Sequence, residues 1–435
     1  MARRPLIACP HCACLHERTF IPEGALANCV RCGYTLYRHS GVPPTGWLAL
    51  TLTGLLVFAM ANYFPIATLS MSGLHIKASL PDALILTWRQ GHEVVALMTG
   101  LFGFALPLMQ LLFLLWALLA IISQRLPADF HYGMRVLRAM CSWSMVPVLM
   151  LGILVAIVKL SGLARLEPGF GLWAFGALTL LLTGLSRVTA LRLWRYAEDE
   201  GLVPVSGAQL AAGHPAEACL SCGYVQSATG HDSPHNCSRC GARIHFRKPD
   251  SSARTWAFVI AASILYFPAN ILPVMQIRTP TGQTGHTILG GVIELWKLGS
   301  WDLAVIVFVA SVVVPMTKLF ALIVLLIRDG WRGAVIQRQR TRLYELIEFI
   351  GQWSMLDVFV VILLSAMANF PGLSQVTAGP GAASFGLVVV LTMFGAMSYD
   401  PRSGWDAGIA RGFDETEAMP GHPEPAAPNT LQQGA

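Results

Sequence analysis

Eight apolar stretches, each approaching the width of a bilayer, alternate with polar connections along the chain. They cover about residues 46–68, 93–122, 136–160 and 171–191, and again about 255–277, 301–327, 343–368 and 384–399. A helix of about 20 apolar residues crosses the ~30 Å hydrocarbon layer, so each stretch predicts a membrane helix, the last being the shortest. Asn62-Tyr-Phe-Pro65, Asn270-Ile-Leu-Pro273 and Asn369-Phe-Pro371 fall where helices should stop, and Asn with Pro there predicts termination. Pro107 and Pro315 fall inside helices and predict kinks.

The second series repeats the first. Cys32 and Cys240, Asn62 and Asn270, Pro65 and Pro273, Trp88 and Trp296, and Pro107 and Pro315 are each offset by 208 residues. After a slip of two, Trp143-Ser-Met145 matches Trp353-Ser-Met355, and Phe175-Gly176 matches Phe385-Gly386. A register held this far marks a tandem duplication. The predicted fold is an all-α polytopic membrane protein. It has eight transmembrane helices in two tandem four-helix modules, each preceded by a small zinc ribbon of short β-strands. The predicted units are a ribbon over 1–45, a module over 46–198, a linker and second ribbon over 199–250, a module over 251–400, and a disordered tail over 401–435. The connections 70–92 and 278–300 are longer than hairpins need and carry Trp88 and Trp296. Tryptophan there suits the headgroup layer, as a plain anchor or as part of a docking face.

Composition agrees with this pattern. The chain is 54% hydrophobic and 12% charged, with mean hydropathy +0.56, whereas soluble domains carry about 25% charged residues. The net charge of +6 is no nucleic-acid signature, because its placement follows the helices. With both termini and both ribbons on one side, that side holds 23 of the 30 Lys and Arg residues. The other side holds only Lys77, Arg89, Arg165, Arg278 and Lys297. The positive-inside rule then places ribbons and termini in the cytoplasm. The polar N-terminus predicts no cleavable signal peptide. No P-loop, GxSxG elbow or HExxH appears, so nucleotide hydrolysis and acyl or peptide chemistry have no support and no enzyme is predicted.

Eight of the ten cysteines form Cys-x-x-Cys pairs: Cys9 with Cys12, Cys29 with Cys32, Cys219 with Cys222, and Cys237 with Cys240. Two such pairs per half have the spacing of a zinc ribbon, which predicts two structural zinc ions, each held by four thiolates. A closed site of this kind has no open position for catalysis, so its role is folding and docking. Redox dithiols are the rival reading, disfavoured where thiols stay reduced. His11, His16 and His39 are expected at the surface, and Cys14 and Cys141 as small apolar fillers.

Ionisable residues inside a span are functional hypotheses by default. Lys159, Glu345 and Glu348 lie near helix ends, where they can reach the interface. Lys318 and Asp357 instead sit roughly 15–18 Å from the cytoplasmic boundary, on consecutive antiparallel helices. Ser354 shares the Asp357 face, and Thr317 and Thr392 extend the set. The first half has Gln110 and Pro147 at the Lys318 and Asp357 positions. Two readings stand: a structural lock, or a relay of Lys318, Ser354, Asp357 and Thr392 in which Asp357 takes and releases a proton.

Ala61-Asn-Tyr-Phe-Pro65, Trp143-Ser-Met145, Trp353-Ser-Met-Leu-Asp357-Val-Phe, Phe385-Gly386 and Tyr399-Asp400-Pro401-Arg402, with the repeated ribbons, resemble the paraquat-inducible protein A family over about residues 5–405. The resemblance implies an inner-membrane subunit of Gram-negative bacteria working with an MCE-domain protein that forms a periplasmic tunnel. Together they move phospholipids between membranes, the membrane subunit loading or unloading the tunnel. It also implies that the residues matching Lys318, Ser354 and Asp357 couple transport to the proton gradient. The other readings are a proton-coupled secondary transporter of a small solute, a zinc-ribbon membrane scaffold and a redox sensor.

Overall fold

The computed structural model describes residues 5–405 apart from 40, 72–73, 92, 142, 144–145, 162–164, 208–209, 211–215, 228–234, 246, 280–281, 298, 300, 328–333, 352–358 and 361–374. The first helix, α1 (Pro44–Tyr63), starts on prolines and ends at the expected Asn62, whose side-chain amide donates to the Phe58 carbonyl at 2.8 Å. A hairpin of β5 (Ala67–Met71) and β6 (Leu74–Ala78) follows. Next come a short amphipathic helix, α2 (Leu80–Arg89), capped by Ser79, and a long one built of α3 (Glu93–Thr99), a π-helical turn (Gly100–Ala105) and α4 (Leu106–Ile122). Then α5 (Phe130–Cys141) and α6 (Val146–Ser161) precede β7 (Arg165–Pro168), and α7 (Phe170–Leu185) bends by 54° into α8 (Ala190–Asp199).

The second half retraces this course. Its elements are α9 (Ser251–Ile271), the hairpin β12 (Met275–Thr279) and β13 (Gly282–His286), α10 (Ile288–Lys297), α11 (Trp301–Phe308), a π turn (Val309–Val313) and α12 (Val314–Ile327). After them come α13 (Ala334–Gly351), β14 (Gln375–Ala378) and α14 (Pro380–Ser398).

Five helices among the described residues are long and apolar enough to cross a membrane, or six if the bent α7–α8 pair counts as one span. The chain is a multi-pass membrane protein, but the described helices do not make up the predicted eight. Ser251, Ser252 and Arg254 in the first turn of α9 and Asn270 in its last turn shorten its apolar run. The expected seventh span, 343–368, lies mostly outside the described residues.

The prediction of strands only in the ribbons is also corrected. Each half carries a three-stranded antiparallel sheet at the end away from its ribbon, in the orders β6-β5-β7 and β13-β12-β14. In each, the hairpin after the first helix accepts a strand from the connection before the last. That pairing spans about a hundred residues, and local periodicity cannot register it. The last helix also crosses close over the exit of the first. Gly169 and Gly379 donate backbone N–H groups to the Ile66 and Val274 carbonyls at 2.9 and 2.7 Å. A Cβ on either glycine would collide with the Pro65 or Pro273 carbonyl, so only glycine permits this approach.

The expected kinks take the form of π turns directly before Pro107 and Pro315. Each leaves carbonyls outside the regular α ladder, as proline requires. The halves meet through aromatic rings: Trp143 stacks on Phe102 of the first π turn at 5.5 Å and touches Phe394 of α14 at 5.1 Å. Residues 401–405, predicted as the start of a tail, instead turn back and bury Trp405 against the first ribbon; 406–435 lie outside the described residues.

Candidate functional site

In the first ribbon, β1 (Leu6–Ala8) pairs with β2 (Leu15–Glu17), and β3 (Leu26–Asn28) with β4 (Thr35–Arg38). The second has β8 (Ala216–Ala218) with β9 (Val225–Ser227), and β10 (His235–Asn236) with β11 (Arg243–Ile244). Each hairpin tip is a Cys-x-x-Cys knuckle of one geometry. The first cysteine N–H donates to the carbonyl five residues on, as Cys9 to Cys14 at 2.9 Å and Cys237 to Ala242 at 2.8 Å. The residue after each second cysteine is left-handed: Ala13, Gly33, Gly223 and Gly241 at φ 58°, 82°, 74° and 65°.

All eight thiols are buried, and the four of each ribbon lie within 4.8 Å of one another. Cys9 and Cys32, and Cys12 and Cys29, approach to 3.5 Å; in the second ribbon Cys219 and Cys240, and Cys222 and Cys237, approach to 3.6 Å. A tetrahedron with ~2.3 Å metal–sulfur bonds has edges of about 3.8 Å, so both clusters fit a tetrahedral thiophilic ion. The Cys12 thiol, hydrogen-bonding to Cys29, holds Cys29 well below the ordinary thiol value, and Cys219 does the same to Cys237. Thiolate is the ligating form.

His11 corrects the surface assignment. It is 6% exposed, stacked on Tyr34 at 4.1 Å, edge-on to Tyr344 of α13, and 3.7 Å from Glu345. Burial pushes it down to about 4, so it is neutral at pH 7. Its ring is part of a docking surface, which is why it left the solvent. His16 is half-buried, its Nε2 3.2 Å from the Cys29 sulfur.

Each ribbon reaches the module of the other half. The first sits against the second module: Arg31 lies over Trp405 at 5.0 Å and donates to its carbonyl, and Arg338 of α13 donates to the Arg31 carbonyl at 3.0 Å. The second sits against the first module: Arg239 pairs with Glu198 of α8 at 3.0 Å, both nearly sealed from solvent, and Arg135 of α5 donates to the Cys240 carbonyl. The first ribbon also meets the stretch before the second, through Leu6 N–H to the Ser206 carbonyl at 3.1 Å, and the first module, through Arg18 to Asp199 of α8 at 2.6 Å.

Behind the first ribbon, Tyr399-Asp400-Pro401-Arg402 forms a buried knot. Asp400 accepts from Arg402 Nε and Nη2 at 2.9 and 2.8 Å and from the Lys248 N–H at 3.0 Å. Tyr399 accepts from Arg340 at 2.6 Å. The sequence singled out this string without a role; only its neighbours supply one.

Within the membrane, Lys318 of α12 is 2% exposed, and its Nζ has no hydrogen-bond partner among the described residues. It lies over the end of α13, where a Cβ on Gly351 would stand 3.3 Å from Nζ. Thr392 of α14 is buried and donates to the Val389 carbonyl at 2.8 Å, while Thr317 is exposed on the other side of α12. Ser354 and Asp357 lie outside the described residues. The matching Gln110 is also buried, its Oε1 without a partner among the described residues. Burial of both positions was not legible from residue type.

Residues 45–198 and 252–408 match the family model described as Paraquat-inducible protein A. The chain is 31% identical over 405 residues to the Intermembrane transport protein PqiA of Escherichia coli (strain K12), covering 92% of this chain and 95% of that protein. It is 30% identical over 416 residues to the Lipophilic envelope-spanning tunnel protein A of the same strain, covering 94% and 93%. It is 29% identical over 415 residues to a Probable intermembrane transport protein of Haemophilus influenzae, covering 92% and 95%. No solved structure matches the chain.

Proposed function

The chain belongs to the paraquat-inducible protein A family, and from that premise we propose that it is the inner-membrane subunit of an intermembrane lipid transport system. In this reading it spans the membrane eight times, with ribbons and termini in the cytoplasm, and loads phospholipid into, or unloads it from, a periplasmic tunnel of MCE-domain protein. The observation that carries the reading is likeness along nearly the whole chain to proteins named for intermembrane transport and an envelope-spanning tunnel. The asymmetric arginine and lysine distribution supports the orientation.

Each ribbon would hold one zinc ion through its four cysteines, Cys9, Cys12, Cys29 and Cys32 in one and Cys219, Cys222, Cys237 and Cys240 in the other. Zinc so held would rigidify the knuckles, which the chain's own arginines and aromatic rings dock. Lys318, with Ser354, Asp357 and Thr392, forms the polar set that couples transport to the proton gradient. The burial of the Lys318 amine supports this, since its charged form at that depth needs a counter-charge, and the described residues give its Nζ no partner.

Affinity purification from mild detergent, with mass spectrometry of co-purifying proteins and lipids, tests the reading. An MCE-domain protein together with phospholipid is the expected result. A solitary chain without lipid, active in proton-driven uptake of a small solute, overturns it in favour of the secondary transporter.

A further inference from the structure

A cavity of about 1010 Å³ opens where the first ribbon, α8 and the start of α1 converge. Seven arginines line it; Arg18 is paired with Asp199 and Arg239 with Glu198, and Glu23 is the other lining carboxylate. Among the described residues, Arg38, Arg187 and Arg195 make no ion pair. Arg195 lies over the Tyr37 ring at 5.9 Å, and burial, with Arg18 and Arg192 close by, pulls its guanidinium down to about 10. It stays charged at neutral pH, and Arg38 and Arg187 line the same cavity.

The height of the cavity matters as much as its charge. Val42 and Trp47, on its wall, flank the N-terminus of α1, one of the membrane-crossing helices. Tryptophan at a span's end marks the headgroup layer. Arg192 lies over the Trp47 ring at 5.3 Å, so its guanidinium and that ring share one level. Leu26, Leu36 and Val42 add apolar wall beside the charged one. Guanidinium forks bind phosphate oxygens in pairs, and basic pockets at a membrane face take lipid headgroups.

We propose that this arginine-lined cavity is a binding site for an anionic phosphate, supplied by the headgroup of a phospholipid in the adjoining leaflet. The proposed orientation enters only in naming that leaflet as the cytoplasmic one. Binding requires neither a tunnel partner nor transport, so failure of the lipid-transport reading leaves it standing.

The test uses the full chain in neutral detergent, titrated calorimetrically with short-chain phosphatidylglycerol and, separately, with inorganic phosphate. Arg38→Gln combined with Arg187→Gln removes two exposed arginines without breaking any ion pair among the described residues. Arg125→Gln removes a charge outside the cavity. We expect saturable binding of phosphatidylglycerol, weakened about tenfold or more in the double variant and unchanged in Arg125→Gln. Inorganic phosphate binding as tightly, with the same loss in the double variant, keeps the site and makes its ligand soluble phosphate. Equal binding by wild type and double variant, equal weakening by Arg125→Gln, or no saturable binding of either ligand overturns the proposal.

Discussion

Replacing Glu198 with alanine should loosen the second ribbon from the first module. The carboxylate accepts from Arg239 at 3.0 Å, and the two side chains are 6% and 2% exposed. Arg239 cannot turn to solvent on losing its partner, because it also donates to the Trp194 carbonyl at 2.9 Å and lies over that ring at 4.8 Å. Removing one member of a buried pair costs about 3–5 kcal/mol, since the other charge stays buried and unpaired. At about 1.4 kcal/mol per decade, the undocked population rises roughly 10²- to 4 × 10³-fold. Hydrogen exchange of the α8 and second-ribbon amides reads that population directly. Arg239→Met alone should cost a similar amount, and the double variant Glu198→Leu with Arg239→Met much less than the sum, because no lone charge remains. Unchanged protection in Glu198→Ala, or strictly additive losses in the double variant, would refute the account of ribbon docking by this pair.

Asp357→Asn should abolish transport while leaving the amount of folded protein in the membrane unchanged; wild-type activity removes the relay, and lost expression favours the structural lock. Gly351→Leu should impair transport as Lys318→Met does, because the new side chain's Cβ alone would stand 3.3 Å from Nζ and the rest must grow beyond it; overpacking of this kind costs about 1–3 kcal/mol, and normal transport in Gly351→Leu would separate Lys318 from that helix end. Cys219→Ser should lower the metal content by one ion per chain and expose the linker before α9 to protease, with the first ribbon still loaded. Acidification should release both metals as the thiolates protonate, so metal content measured against pH falls towards low pH and never rises.

The duplication, the two cysteine modules, the apolar runs and the ends of the first helices were legible in the chain itself. Each depends on spacing along one element or on residues a few positions apart. Asn62 and Asn270 bond carbonyls four residues earlier where their helices end, the residues before Pro65 and Pro273 turn extended, and the knuckles close over five. What depended on distant partners was not legible. The outer sheets need β5 to meet β7 and β12 to meet β14, and the crossing glycines need a carbonyl from another helix. His11 looked like a surface residue until α13 covered it, and Tyr399-Asp400-Pro401-Arg402 had no role until Arg340 and Lys248 surrounded it. The arginine cavity gathers residues from both ribbons, α5 and α8, which sequence order keeps far apart. Local pattern set the elements because helices and knuckles are short-range structures; the docking of the ribbons and the cavity came only with tertiary structure, because they are made of contacts between segments that carry no record of each other.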